Sequence, residues 1–181
     1  MIRSVLAAAT AQLAAVSDSP RLDAELLLGH LIERNRAQLL TRDDETLSEG
    51  TRIAYEKLLE RRCHGEPVAY LLGYREFWKH RFHVGPGVLV PRPETELLVE
   101  KALQWLDGVP EPRILDLGTG SGAIGLSIAL ELPHAQVTLT DRSPSALDMA
   151  RRNRDSLGAR TEILEGFWFE PVRGRIGRAH V

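Results

Sequence analysis

The chain has 181 residues and a formal net charge of −2 at pH 7, with 43% hydrophobic and 27% charged residues. This composition is typical of a globular protein, and the length allows one ordinary domain or two small ones. The small net charge gives no reason to expect a nucleic acid or an anionic membrane as a partner. The single cysteine excludes an internal disulfide and any multi-cysteine metal site. No apolar run approaches the roughly 20 residues that span a bilayer, so the sequence indicates a cytoplasmic protein without a metal.

Residues 1–74 are predicted to form a domain made of helices alone. Apolar residues recur at helical spacing over 4–16, 20–32 and 48–62, and a short apolar segment follows at 68–72. Pro20 and Ser48 are typical of helix starts, and Gly65 of a helix end. Four further apolar residues are expected to join the shared core: Leu31, Leu39, Leu40 and Tyr55. Together these patterns predict a small helical bundle.

The pattern then changes to strands. Residues 76–84 have strand character and are followed by a Gly-Pro-Gly break, which predicts a β-hairpin within a linker at 75–90. The last part, 91–181, opens with a helix at 97–106 and then alternates between strands and helices. The expected strands are 113–117, 136–140 and 161–164, and the expected helices are 123–132 and 144–157. This alternation predicts an α/β fold with a parallel, doubly wound sheet.

The most informative motif is the glycine turn that follows the first of these parallel strands. It reads Gly118-Thr119-Gly120-Ser121-Gly122 and comes directly before a helical pattern. Alternating glycines allow backbone angles that other residues avoid and let a ligand approach the main chain. Asp141 lies 19 residues after Gly122, at the end of the next strand. That spacing suits a carboxylate that binds ribose hydroxyls.

Two nucleotide ligands fit this turn, and Asp116 favours one of them. The pattern Gly118-x-Gly120-x-x-Ala123 also fits the dinucleotide fingerprint, so NAD has to be considered. Asp116, however, puts a carboxylate two residues before the first glycine, where it would repel a pyrophosphate. S-adenosylmethionine (SAM) carries an ammonium and a sulfonium as well as a ribose. The motif therefore favours SAM over NAD.

With these elements in place, the chain resembles the HemK/PrmC family of protein-(glutamine-N5) methyltransferases. The resemblance runs from about residue 4 to residue 173. It rests on five stretches that follow in this order along the chain: 19–27, 65–73, 76–78, 88–96 and the glycine turn. The glycine turn alone would be weak evidence, whereas the helical head together with the run Pro91-Arg92-Pro93-Glu94-Thr95-Glu96 is specific. The family implies an N-terminal helical bundle that docks the substrate, followed by a Rossmann-like SAM-dependent methyltransferase domain.

The resemblance also implies an activity and a set of cofactor contacts. Family members transfer a methyl group from SAM to the side-chain amide nitrogen of the glutamine in the Gly-Gly-Gln motif of class I peptide chain release factors. By matching position, residues 118–122 would hold the methionine part of SAM and Asp141 the ribose. Trp168 matches an aromatic residue beside the adenine, although without the family it would be an ordinary core tryptophan. Phe167 stands where the family usually has an acidic residue, which would weaken nucleotide selectivity.

One family motif is missing from the chain. Asn-Pro-Pro-Tyr, which follows a fourth strand in the family, does not occur among the 181 residues. In the family its Asn side chain and a Pro carbonyl orient the substrate amide for methyl transfer. We therefore assign no catalytic residue, describe the sheet as incomplete, and expect this chain alone to be inactive or nearly so.

Two alternatives to the release-factor activity stay open. A sister family methylates a ribosomal protein glutamine, although Glu94-Thr95-Glu96 fits the release-factor branch better. A fragment that binds SAM or a release factor without turnover would also fit the sequence.

Overall fold

The computed structural model describes residues 1–175 and divides the chain into two units, Met1–Gly73 and Tyr74–Val181. Each unit has a hydrophobic core of its own. Within the described residues, no helix combines the length and the apolar character needed to cross a membrane.

The first unit is a bundle of helices. They are α1 (Ile2–Leu13), α2 (Pro20–Leu31), α3 (Arg36–Thr41), α4 (Glu49–Cys63) and α5 (Val68–Leu72). Pro20 opens α2, and the Ser48 side chain caps α4 by accepting from the Thr51 amide. The three long predicted helices are confirmed to within a few residues at their ends. The short helix α3 was not predicted, although Asn35 and Gln38 form a capping box at its start.

The bundle core forms where the apolar stripes of these helices meet. Leu39 and Tyr55 are buried in it, as predicted, and Leu31 packs partly against it. The prediction for Leu40 is wrong, since 58% of that residue is exposed. Because successive helix positions are turned by about 100°, a helix as short as α3 can direct only one of two adjacent leucines into the core.

The second unit begins with the predicted hairpin, β1 (Tyr74–Phe77) and β2 (His80–His83), whose strands pair antiparallel. Phe77 and Phe82 are buried in the core of this unit. Trp78 at the turn has a positive φ of 55°. Its amide donates to Glu96 (2.9 Å) and its indole Nε1 to Glu131 (2.8 Å). Two carboxylates thus hold a turn residue in a conformation that side chains normally avoid.

The rest of the second unit is an α/β layer structure. A 3₁₀ turn at Pro93–Thr95 leads into α6 (Glu96–Trp105), and then come β3 (Arg113–Leu117), α7 (Ala123–Glu131), β4 (Gln136–Asp141), α8 (Pro144–Leu157) and β5 (Thr161–Glu165). The three strands are parallel and lie in the order β3-β4-β5. Leu117 pairs with Thr140, and Asp141 pairs with Glu165, so the carboxyl ends of all three strands meet at one edge. The predicted alternation and the α/β class are confirmed, and this edge carries the candidate site.

Candidate functional site

The glycine turn lies at the carboxyl end of β3 and is closed by its own backbone. Gly118 and Thr119 both donate their amides to the Thr140 carbonyl at 2.9 Å, and Gly122 donates to the Thr119 carbonyl at 2.9 Å. Gly122 has a φ of 82°, and an added Cβ would lie 2.7 Å from Leu126 Cδ1, so a larger residue would be strained there. At Gly118 and Gly120 an added Cβ would meet nothing within 4 Å. Space for a ligand therefore lies in front of these two glycines.

Asp116 supports the turn from within. Its Oδ2 accepts from the Thr119 hydroxyl (2.7 Å) and from the Gly125 amide (3.1 Å). Burial raises the pKa of Asp116, and the nearby charge of Asp141 adds to the rise, whereas the hydrogen bonds from Thr119 and Gly125 act in the opposite direction. The sequence suggested that this carboxylate faces a ligand. In the structure, one of its oxygens holds the turn to the first turn of α7.

Asp141 connects three segments around the site. Its Oδ2 accepts from the Gly120 amide and its Oδ1 from the Ser143 amide, both at 2.9 Å. Its carbonyl accepts from the Gly166 amide at 3.0 Å. The carboxylate therefore fixes the glycine turn and the start of α8, and the backbone carbonyl of the same residue fixes the loop after β5.

A cavity of about 370 Å³ opens beside Asp141, within the usual size of small-molecule sites. Its walls are Leu117, Gly118, Thr140, Asp141, Arg142, Gly166, Phe167 and Trp168. Of the seven residues predicted to bind a cofactor, Gly118, Asp141 and Trp168 line this cavity. The other four do not line it: Thr119 and Ser121 are buried within the turn, and Gly120 and Gly122 shape its backbone.

Three consecutive aromatic residues follow β5, and the first two of them line the cavity. Phe167, Trp168 and Phe169 are each half or more exposed, with Trp168 at 61%. The rings of Trp168 and Phe169 stack with centroids 6.5 Å apart, and Phe167 meets Trp168 edge-on at 6.3 Å. Trp168 also has a positive φ of 50°, a conformation that costs about 1–3 kcal/mol for a residue with a side chain. Exposed rings held in this way are typical of a stacking surface for a flat ligand.

The hydrogen bonds of the turn bear on the choice between the two ligands left by the sequence. A pyrophosphate site needs free backbone amides at the helix N-terminus. Here the amides of Gly118, Thr119, Gly120 and Gly122 all donate to acceptors within the protein. Asp116 and Asp141 add two carboxylates in the same place. These contacts favour a ligand with hydroxyl groups, a flat ring and positive charge over a pyrophosphate.

No group of three or more His, Cys, Asp or Glu side chains within residues 1–175 could hold a metal ion.

Sequence reasoning missed one buried polar residue beside the turn, Asn153 on α8. A single asparagine among the polar residues of an amphipathic helix gives no local signal of its position.

Comparison with known proteins gives two family matches. Residues 4–73 match the family described as PrmC N-terminal domain, and residues 93–175 match the methyltransferase small domain. The chain is 52% identical over 153 residues to the release factor glutamine methyltransferase of Bordetella pertussis, covering 84% of this chain and 57% of that protein. It is 49% identical over 168 residues to the enzyme of the same name from Burkholderia pseudomallei, covering 90% and 59%. The chain thus spans less than two thirds of the length of these relatives.

A solved structure also matches, at lower similarity. It is the Pyrococcus abyssi tRNA (uracil-54, C5)-methyltransferase in complex with S-adenosyl-L-homocysteine. The match has a TM-score of 0.44 and 22% identity, and it covers 51% of this chain and 23% of that one.

Proposed function

Because the chain belongs to the PrmC family of release factor glutamine methyltransferases, we propose that it carries the SAM site of an enzyme that methylates class I peptide chain release factors. The acceptor is the side-chain amide nitrogen of the glutamine in their Gly-Gly-Gln motif. The observation that supports this most directly is the cavity beside Asp141, which brings a carboxylate and exposed aromatic rings together next to the glycine turn.

The residues of the cavity fit SAM group by group. Asp141 would accept hydrogen bonds from the ribose hydroxyls, and Trp168 would stack on the adenine. The turn from Gly118 to Gly122, including Thr119, Gly120 and Ser121, would lie along the methionine part, where the positions of Gly118 and Gly120 leave room. SAM supplies an electrophilic methyl group on its sulfonium. The carboxylates of Asp116 and Asp141 make the neighbourhood favourable for that positive charge.

The chain's own contribution is binding and orientation. A glutamine amide nitrogen is a poor nucleophile because its lone pair is delocalised into the carbonyl, so methyl transfer needs the amide held in line with the methyl group. The family motif that does this, Asn-Pro-Pro-Tyr, is not among the 181 residues. We therefore propose that these residues bind the cofactor and that none of them is catalytic.

The helical unit is proposed to dock the protein substrate. In this proposal residues 1–74 form the docking domain, 75–90 the hairpin linker and 91–181 the first part of the methyltransferase domain. Release factors act on ribosomes, so this substrate would require a cytoplasmic location.

Calorimetric titration tests the cofactor site, with a matched pair of variants. SAM is expected to bind the chain saturably, and NAD is expected not to bind. Trp168→Ala should weaken SAM binding about tenfold or more, because stacking on a base is worth about 1–3 kcal/mol. Trp105→Ala removes an exposed tryptophan that does not line the cavity, so the affinity of this control should stay within about twofold.

Three results would contradict the cofactor site: tighter binding of NAD than of SAM, no binding of SAM to the folded chain, or equal losses from the two variants. The activity is tested separately, by transfer of a radiolabelled methyl group from SAM to a purified release factor. A ribosomal protein acceptor serves as the comparison. Little or no transfer is expected from the 181 residues alone.

A further inference from the structure

Asn153 is a fully buried asparagine in the middle of α8. Asparagine is unfavourable in a helix interior, and a buried amide without partners would cost free energy. The Asn153 side chain uses both of its donor hydrogens and one of the two lone pairs of its oxygen. Oδ1 accepts from the His83 amide at 2.6 Å, and Nδ2 donates to the His83 carbonyl at 2.9 Å and to the Ser121 carbonyl at 2.8 Å. These partners identify Asn153 as a bridge between two other segments.

The first segment is the end of the hairpin. The side-chain amide pairs with both the N–H and the C=O of His83, as a neighbouring strand would do through its backbone. The chain that follows continues along the same face of α8. A Cβ at Gly85 would lie 3.6 Å from Met149, and one at Gly87 would lie 2.8 Å from Ser145. Ser145, Met149 and Asn153 are spaced by four residues and so share one side of the helix.

The second segment is the glycine turn. The Ser121 carbonyl belongs to the peptide between Ser121 and Gly122, inside the turn that the Gly122 amide closes onto Thr119. Ser121 itself is buried. Two side-chain hydrogen bonds fix this part of the turn. Asp141 accepts from the Gly120 amide, and Asn153 donates to the Ser121 carbonyl. Two consecutive residues of the turn are therefore held by two side chains on different elements.

We propose that Asn153 is a positioning residue for SAM binding, which orients the glycine turn through the Ser121 carbonyl. This inference rests on the proposed function and assigns Asn153 no contact with the ligand. Only asparagine meets both demands at this length, because one acceptor and two donors are needed. Aspartate keeps the acceptor for the His83 amide but has no donor for either carbonyl, and leucine has neither.

The test compares Asn153→Asp with Leu147→Ala. Leu147 lies on the same helix and is fully buried. Its side chain has no hydrogen-bonding group, so its truncation destabilises the fold without removing a hydrogen bond from the turn. SAM affinity is measured by calorimetry under conditions where circular dichroism shows each variant folded. The backbone amide signals of Gly120 and Gly122 are recorded by ¹H–¹⁵N NMR without SAM. Both readouts are compared with the melting temperature.

The expected result is a separation of affinity from stability. Asn153→Asp should weaken SAM binding about tenfold or more and shift the signals of Gly120 and Gly122. Leu147→Ala should lower the melting temperature and leave SAM affinity within about twofold. Unchanged affinity and unmoved glycine signals in Asn153→Asp would overturn the proposal, and so would an equal affinity loss in Leu147→Ala.

A further measurement on the unaltered chain guards against a variant that does not fold. The Asn153 side-chain NH₂ signals should be protected from hydrogen exchange and should move when SAM is added; rapid exchange without movement would overturn the proposal. If the unaltered chain binds no SAM, the proposed function fails, while the glycine signals of the variants still decide whether Asn153 orients the turn.

Discussion

At the scale of single residues, Asp116 is a buried carboxylate whose ionised form lowers the free energy of unfolding. Burial raises its pKa above the ordinary value of about 3.9. The folded state therefore holds the proton more tightly than the unfolded chain does. Above the raised pKa the ionised group destabilises the fold, and this penalty disappears as the pH falls through that pKa towards the unfolded value.

Asp116→Asn should consequently be more stable than the unaltered chain at pH 7. The asparagine oxygen can still accept from Thr119 and Gly125, and the buried charge is gone. The advantage, expected to be about 1 kcal/mol or less, should shrink as the pH is lowered to about 4. Urea unfolding of both chains at several pH values measures it. A variant that is less stable at pH 7 would show that the charge itself holds the turn.

The same residues show what the sequence can predict about the site. The glycine turn and Asp141 follow from local spacing, because a strand, a turn and a helix place them at a sheet edge whatever the rest of the chain does. The family resemblance singled out Trp168, and the structure adds its exposure and positive φ. Asn153 could not be predicted, because its partners lie 70 and 32 residues away in the sequence. The inward hydrogen bonds of Asp116 were missed for a related reason, since composition does not reveal which way a carboxylate points.

At the scale of elements, the helical bundle is tied together by acidic residues of α2. Asp23 pairs with Arg62 of α4 at 2.9 Å, and Glu25 pairs with Arg36 of α3 at 2.7 Å and with Arg21. Only 4% of the Glu25 side chain is exposed. Sequence periodicity located α2 and α4 because their apolar stripes are long. It missed α3, which has six residues and is anchored by its capping box and this ion pair rather than by a stripe.

Glu25→Ala should destabilise the bundle by about 1–3 kcal/mol, because it removes the buried acceptor of two guanidinium groups. Burial raises the pKa of Glu25, but the hydrogen bonds from Arg36 and Arg21 outweigh it and hold the pKa below its ordinary value. The stabilisation is therefore complete above about pH 4.3 and is lost as the pH falls through the lower, folded-state pKa. Glu60→Ala, at an exposed position of α4, is the control and should stay within about 0.5 kcal/mol. Equal effects in chemical unfolding would refute the role of the ion pairs.

At the scale of the whole molecule, the chain consists of two units with separate cores. The order of helices followed by alternating strands and helices could be predicted, because the period of apolar residues changes at about residue 74. The strand order β3-β4-β5 was not predicted in detail. It follows the rule that consecutive parallel strands joined by a helix tend to be neighbours.

Residues 1–73 are expected to fold without the rest of the chain. Their core of leucines and Tyr55 is complete within the unit, although a domain of this size is close to the lower limit of independent stability. Circular dichroism of the isolated segment should give a helical spectrum and a cooperative thermal transition. A gradual loss of signal on heating would show that the bundle depends on the second unit.

Asp141 accepts hydrogen bonds from two backbone amides, and these bonds have a consequence for binding kinetics. Both carboxylate oxygens are held before any ligand arrives, so the two side-chain torsions of Asp141 are already fixed. Each oxygen still has a second lone pair for an incoming hydroxyl. The conformational entropy of this side chain is lost on folding rather than on binding. A ligand would meet an acceptor that needs no search for its orientation, and this benefit should appear mainly as slower dissociation.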